Sequence, residues 1–365
     1  MKASDYIADE LERQGVTVIF EMIGGMITHM IDSIDQRGKI QIVSMHHEQG
    51  AGFAAEAVGR MTGVPGVALA TSGPGATNLV TAIGSCYFDS IPTVFITGQV
   101  NTYELSGSRA IRQQGFQETD IVSIIKPITK AAWRLNRADE ISVKLCEAFE
   151  LAKHGRPGPV LIDIPMNLQR EDIKPTELSV PDVAVAAGFE VEAFANRVAE
   201  AMGSAERPMI LAGGGIRSGN AHAAFLEMVE AASVPVSLTL MGLDLLPYDH
   251  SDRVGMIGTY GNRWANQALM ESDCLLVLGS RLDVRQTGAD ADGFKGDRPI
   301  FHVDCDEGQI NNRVQGCEAC VADLNAILPF LESAFKAEKL RNLDTWCSWI
   351  AERKELHPDT GELTD

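Results

Sequence analysis

One recurring pattern constrains this chain more than any other. Short runs of Val, Ile and Leu appear without polar alternation, each cut off by glycine, proline or a polar cluster. The first five are Val16–Phe20, Gln41–Met45, Val67–Ala70, Thr93–Thr97 and Val160–Ile164. Runs this brief and this apolar suit strands buried on both faces. Helix-length stretches lie between them, Gln49–Arg60 and Ala76–Ser85 among them, and Met1–Arg13 has an amphipathic helical pattern. Strands alternating with helices imply a parallel sheet with right-handed crossovers. Ligands of such sheets bind beyond the carboxyl ends of the strands. The loops that follow the strands are therefore where function is sought.

The pattern stops and restarts. Gln169–Pro181 is polar, contains prolines and reads as a linker. Strands then return at Pro208–Ala212, Val234–Leu238, Cys274–Leu278 and Pro299–Val303, with a helix at His222–Ala232 and a last one at Leu340–Leu356. The expected fold is α/β, two doubly wound parallel-sheet domains: residues 1–170, a linker 171–190, residues 191–340, and a terminal helix and linker over 341–365. A length of 365 residues suits two or three domains. Charge divides the same way. Through Pro175 there are 16 basic and 20 acidic residues; after it there are 15 and 30.

The net charge of −19 disfavours nucleic acid and anionic membrane surfaces as partners. No apolar run approaches the length of a membrane span, and the start has no secretory pattern. Seven scattered cysteines fit a reducing, cytoplasmic setting better than a disulfide framework. Cys317 and Cys320 form a CxxC, but no second pair completes a zinc site, so no metal ligands are expected.

Three segments could hold chemistry. His46–His47–Glu48–Gln49 follows a strand and opens a helix, which puts the Glu48 carboxylate at a helix amino end, where the dipole favours it. A plain helix-start glutamate is one reading; the neighbouring Gly50 and Gly52, poor helix formers, favour a close approach by a backbone or a ligand. Adjacent histidines do not share a helix face, which weighs against a metal. Thr71–Ser72–Gly73–Pro74–Gly75–Ala76–Thr77–Asn78 also joins a strand to a helix, and both a structural turn and a site for an anion or polar ligand are open. Gly213–Gly214–Gly215 is half of a dinucleotide fingerprint without the GxGxxG spacing.

In order along the chain, these segments resemble the thiamine diphosphate enzymes of the acetolactate synthase (acetohydroxyacid synthase) large-subunit type. The matching text runs His47-Glu-Gln-Gly-Ala-Gly-Phe-Ala-Ala-Glu56, Thr71 to Asn78, Asp89-Ser-Ile-Pro92, Thr97-Gly-Gln-Val100 and Phe116-Gln-Glu-Thr-Asp120. It continues through Pro127-Ile-Thr-Lys130 and Gly155-Arg-Pro-Gly-Pro-Val-Leu-Ile-Asp-Ile-Pro165. In the second half it covers Leu211–Gly215, Met241–Leu243, Gly255–Met256 and Gly279–Asp283. The resemblance implies a pyrimidine-binding first domain and a central Rossmann-like domain. It implies thiamine diphosphate as cofactor, with Glu48, Gln117 and Lys130 as catalytic residues. Thr71, Pro74, Gly75, Asn78 and Phe116 join Glu48 and Gln117 in cofactor binding. Glu48 would bond the pyrimidine ring nitrogen and favour the tautomer that takes the thiazolium C2 proton. It also argues against the glyoxylate carboligase branch, which lacks it. The resemblance further implies a 2-keto acid such as pyruvate as substrate and a homodimer or homotetramer. It suggests a crevice at Gly213, Gly214, Gly215, Met241, Gly242, Leu243, Arg281 and Arg285 that holds FAD in synthases.

This chain departs from that family in places. Synthases have Gly-Tyr-Pro-Gly-Gly where it has Glu21-Met-Ile-Gly-Gly25, and Lys-His where it has Lys130-Ala131. Ile257 replaces a histidine near the flavin, and Arg281-Leu-Asp-Val-Arg285 replaces Arg-Phe-Asp-Asp-Arg. These changes leave substrate identity and FAD binding open. The Gly-Asp-Gly and downstream Asn that hold Mg²⁺ and the diphosphate in the family's third domain do not occur in these 365 residues. The expectation is a fragment or split subunit, inactive alone, with the C-terminal diphosphate-binding domain absent and supplied in cis or trans. The alternatives are a related lyase of the sulfoacetaldehyde acetyltransferase type and a non-catalytic homologue that kept the scaffold.

Overall fold

Twelve strands in two sheets organise the computed structural model, which describes residues 1–176, 188–338 and 341–358. The chain divides into two compact units, Met1–Val183 and Ala184–Asp365. Much of the expected linker, residues 177–187, and the last residues, 359–365, lie outside the described set.

The first sheet holds β1 (Val18–Met22), β2 (Gln41–Ser44), β3 (Gly66–Ala70), β4 (Thr93–Gln99), β5 (Ala131–Arg134) and β6 (Pro159–Pro165). Their order is β2-β1-β3-β4-β6-β5, and every pairing is parallel. Chain direction across the sheet reverses between β1 and β3, so their carboxyl ends form the crevice where an open α/β sheet receives ligands. β3 is buried at all five positions. Val67 and Leu69 enter the core under helices Ala3–Arg13, Thr28–Arg37 and Glu140–Lys153; Ala68 and Ala70 enter the opposite core, under Glu48–Thr62 and Val80–Asp89. Two covered faces explain the continuous apolar runs of the inner strands; the run Gln41–Met45, expected to be buried on both faces, is instead the edge strand β2, with Gln41 and Ser44 exposed. Gly52 is a packing residue: a Cβ there would lie 2.4 Å from the Ala82 Cβ of the neighbouring helix.

The second sheet holds β7 (Pro208–Ala212), β8 (Val236–Leu238), β9 (Arg253–Met256), β10 (Cys274–Leu278), β11 (Ile300–Asp304) and β12 (Glu318–Val321), in the order β12-β11-β10-β7-β8-β9, again all parallel. Its switch point lies between β7 and β10. The terminal helix spans Asp344–Leu356 and buries Trp346 and Ile350 in this unit's core, with Trp349 stacked on Trp346. Cys317 and Cys320 belong to cores on opposite faces of the sheet, which rules out a shared metal.

Several expectations need correction. The run Val16–Phe20 pairs as Val18–Met22, and Val234–Leu238 as Val236–Leu238. The helix read as Ala76–Ser85 is two helices, Pro74–Asn78 and Val80–Asp89. Three strands, β5, β9 and β12, were not anticipated. All three are edge strands, partly open to water and with no continuous apolar run to reveal them.

Candidate active site at the carboxyl ends of the first sheet

Glu48 is the first residue of helix Glu48–Thr62, directly beyond β2. His47 caps that helix, its Nδ1 accepting the Gln49 N–H at 3.1 Å, so this histidine is occupied by backbone. Glu48 is only 6% exposed. Its Oε2 accepts a hydrogen bond from Asn78 Nδ2 at 2.9 Å. Asn78 ends the short helix that Pro74 opens after β3. Two loops from neighbouring regions of the sheet thus converge on one carboxylate.

Glycines let neighbouring segments pack close to it. A Cβ on Gly75 would lie 2.7 Å from Thr71 Cγ2 and 3.2 Å from Glu48 Oε1. Gly73, at φ +64°, packs on the Gln117 side chain, where a Cβ would come within 2.8 Å. Gln117 itself holds φ +63°, a conformation non-glycine residues seldom adopt, and is half-buried. Thr71 accepts the Met26 N–H at 3.4 Å and presses on Gly24 in the loop after β1. Ser72 Oγ, in the same turn, is buried without a hydrogen-bond partner. The structure therefore gathers Glu48, Thr71, Gly75, Asn78 and Gln117. Phe116 adjoins them but is 78% exposed, and Pro74 faces outward.

Lys130 is placed elsewhere. It directly precedes β5, whose Ala131 pairs with Val160 near the start of β6. In a parallel sheet this is the amino-terminal rim, opposite Glu48. Its Nζ donates to the His154 carbonyl at 2.6 Å, and its N–H donates to the Pro159 carbonyl.

Four buried polar residues lie behind the site. Asp163 on β6 accepts from Thr97 Oγ1 at 2.8 Å and from Gln99 Nε2 at 2.9 Å, both on β4. Burial pushes its carboxyl up to about 7, against the lowering effect of the Gln99 and Thr97 hydrogen bonds. Gln99 and Asp163 sit inside the Thr97–Val100 and Gly155–Pro165 motifs, yet apolar neighbours make them read as strand. Glu21, where synthases have glycine, is a second buried carboxylate. Ser44 donates to its Oε1, and its Oε2 has no partner.

The second unit's crevice is built differently. Gly213 and Gly215 press on Gly279, where added Cβ atoms would come within 2.3 Å of its carbonyl oxygen and 2.7 Å of its Cα. A Cβ on Gly214 would come within 2.8 Å of the Met241 Cβ. The Gly213 N–H donates to the Leu278 carbonyl and the Gly215 N–H to the Gly279 carbonyl, each at 2.9 Å. Ile216 and Arg217 donate back to Gly213 and Gly214. These N–H groups are spent on the fold rather than offered to a diphosphate. Arg281 pairs with Asp283 at 3.2 Å, Arg285 lies over the Tyr260 ring, and Ile257 and Leu282 are core residues. Gly242 donates to the Thr239 carbonyl, and Leu243 is half-buried.

Among the described residues no group of three or more His, Cys, Asp or Glu could hold a metal ion, and no helix is long and apolar enough to cross a membrane. Comparison with known proteins matches residues 1–124 to the thiamine pyrophosphate enzyme N-terminal TPP binding domain and residues 195–331 to the central domain of the same enzymes. The chain is 36% identical over 361 residues to a probable acetolactate synthase large subunit of Methanocaldococcus jannaschii, covering 98% of the chain and 60% of that protein. It is 38% identical over 340 residues to the acetolactate synthase isozyme 1 large subunit of Escherichia coli, covering 92% and 59%. It is 35% identical over 364 residues to the chloroplastic acetolactate synthase 1 of Nicotiana tabacum, covering 98% and 53%. The chain thus spans between 53% and 60% of the length of these relatives. With both of its units matched in order, the chain belongs to the thiamine pyrophosphate enzyme family and holds that family's N-terminal and central domains.

Proposed function

We propose that this chain supplies the pyrimidine-binding half of a thiamine diphosphate-dependent carboligase or decarboxylase acting on 2-keto acids, of the acetolactate synthase kind. One observation supports this most: a buried carboxylate at a strand end, with one oxygen on Asn78 and the other beside a glycine where any side chain would intrude. Such a cradle suits a flat nitrogen heterocycle that exchanges a proton with the acid. Glu48 would hold that proton, Asn78 would orient the carboxyl, and Gly75 and Thr71 would leave room for the ring. Gln117 would line the cleft from the next loop. When bound, thiamine diphosphate supplies a thiazolium that serves as electron sink for decarboxylation.

The diphosphate and Mg²⁺ need oxygen ligands in octahedral geometry. No Gly-Asp-Gly in these residues offers them, so they are assigned to a diphosphate-binding domain in cis or trans. FAD is not needed for this reading. Lys130 keeps no catalytic role in it, and a sulfoacetaldehyde acetyltransferase-type lyase would use the same cradle. We further assign a second copy of the chain to the outer face of helices Glu48–Thr62 and Val80–Asp89. Phe53, Met61, Tyr87 and Phe88 are exposed along that face, with Met61 about 20 Å along the helix from Glu48, so the partner would cover the helix pair rather than the carboxylate alone.

Acetolactate formation from pyruvate, with thiamine diphosphate and Mg²⁺ added, tests the proposal. The 365 residues alone should give none. Joined to or mixed with a diphosphate-binding domain they should turn over, and Glu48→Gln should cost on the order of 100-fold or more, the usual scale of a lost acid–base group. Full activity in Glu48→Gln would refute the assignment. Light scattering should give a dimer mass for the wild type and a smaller one for Met61→Glu.

A further inference from the structure

We infer that Asp163 is a positioning residue, holding the loop that presents Gln117 through the side chain of Gln99. This rests on the reading of Gln117 as part of the cofactor cleft. The connection is continuous. Asp163 Oδ2 accepts from Gln99 Nε2 at 2.9 Å, and the same Nε2 donates to the Thr119 carbonyl at 2.8 Å. Gln99 Oε1 accepts the Val100 N–H at 2.9 Å, so the amide has a single orientation. Two residues before Thr119, Gln117 takes its left-handed backbone conformation and packs on Gly73, the turn that leads to Asn78 and hence to Glu48. Asp163 touches none of the reacting groups. It acts by fixing an amide whose far side fixes a loop.

An ionised Asp163 suits this role better than a protonated one, because an acid hydrogen would compete with the Gln99 Nε2 donor. Burial raises the carboxyl, the hydrogen bonds from Gln99 and Thr97 lower it, Arg134 at the end of β5 lowers it further, and Asp120 raises it. Near neutrality the group is therefore divided between its two states. The consequences for the loop and for the whole unit have opposite signs. A carboxyl whose folded pKa is raised contributes stability that is present at low pH and lost as pH rises through about 7. The loop should instead tighten over that same range, as the carboxylate forms and grips Gln99.

Amide hydrogen exchange, read by mass spectrometry and corrected for intrinsic rate, separates the two effects without any ligand. Peptides covering 115–120 should become roughly tenfold more protected between about pH 6 and pH 8.5, the scale of one hydrogen bond to a charged group. Peptides from the β4 core should lose protection over the same interval. Asp163→Asn, nearly isosteric and without a titrating group, should abolish both trends. Thr97→Val removes one bond to the carboxylate and should move the loop midpoint to higher pH, which keeps the test decisive if Asp163→Asn does not fold. A loop that follows the core, a loop whose protection is flat with pH, or an unmoved midpoint in Thr97→Val would overturn the assignment. Because no cofactor takes part, failure here leaves the reading of Glu48 standing, and failure of that reading leaves this result intact.

Discussion

Two loops of this chain have the same plan and opposite outcomes. Each follows a central parallel strand at its sheet's switch point, is rich in glycine and leads into a short helix. In the first unit, Thr71–Asn78 opens toward Glu48. Its glycines remove side chains from the space beside a buried carboxylate, and its Ser72 hydroxyl is buried without a partner. In the second unit, Gly213–Gly215 closes onto Gly279. Its glycines let two backbones touch, and the Gly213 and Gly215 N–H groups bond to neighbouring carbonyls. A glycine-rich turn reports that something approaches closely. Whether that is a ligand or the protein itself depends on where the freed space and the polar atoms go.

The widest predicted gap is in stability. Gly213→Ala puts a methyl 2.3 Å from the Gly279 carbonyl oxygen, a backbone atom that cannot rotate aside. Overpacking of this kind costs about 1–3 kcal/mol. Denaturant unfolding followed through Trp346 and Trp349 should show the loss in the second unit. An unaltered midpoint would mean that the crevice is looser than its contacts suggest, and the contrast with the first loop would weaken.

Gly75→Ala should behave in the reverse manner. The new methyl meets Thr71 Cγ2 at 2.7 Å and Glu48 Oε1 at 3.2 Å; Thr71 is β-branched and held between Gly24 and the Met26 N–H, while the Glu48 carboxylate can turn. Stability should fall by about 1–2 kcal/mol, and the larger share of the effect should appear at the carboxylate. The displaced carboxylate should cost more in function: misplacement of a reacting group by about 1 Å can cost on the order of 100-fold. Calorimetric titration with thiamine diphosphate and Mg²⁺, in the presence of a diphosphate-binding domain, should show affinity reduced at least about tenfold. Wild-type affinity in Gly75→Ala would remove the distinction between an open and a closed loop.

The same contrast explains what could be read from residues alone. Strands covered on both faces announced themselves, because nearly every position is apolar: β3, β4, β6, β7 and β10 all follow from their runs. The edges β5, β9 and β12 did not, since one side of Arg134, Arg253 or Glu318 meets water and the run breaks up. At the candidate site, the meeting of Glu48 with the Thr71–Asn78 loop was legible because each stands in a motif just past a strand. Lys130 misled because a motif gives neighbours in sequence but not which rim of a parallel sheet it occupies. Asp163 was hidden by the opposite problem. It sits inside an otherwise apolar strand, and only the facing Thr97 and Gln99, more than 60 residues away in sequence, make it meaningful.

The smallest expected effect concerns Arg281. It lies beyond β10 at the second switch point, where a positive charge would meet a nucleotide diphosphate if one bound. It is half exposed and paired with Asp283, which also accepts the Arg285 and Gln286 N–H groups at 3.0 and 3.2 Å. Asp283 therefore keeps a structural role without the arginine. Removing an exposed ion-pair partner changes stability by roughly 0–1 kcal/mol, so Arg281→Ala should unfold within that margin of wild type. The closed glycine loop predicts a second null result. Purified protein should carry no flavin band in the visible spectrum, and added FAD should leave the unfolding temperature of wild type and Arg281→Ala unchanged. A flavin that copurifies, or FAD that stabilises the wild type and not the variant, would show that Gly213–Gly215 opens when ligand is present. The two loops would then differ in their resting state and not in what they can bind.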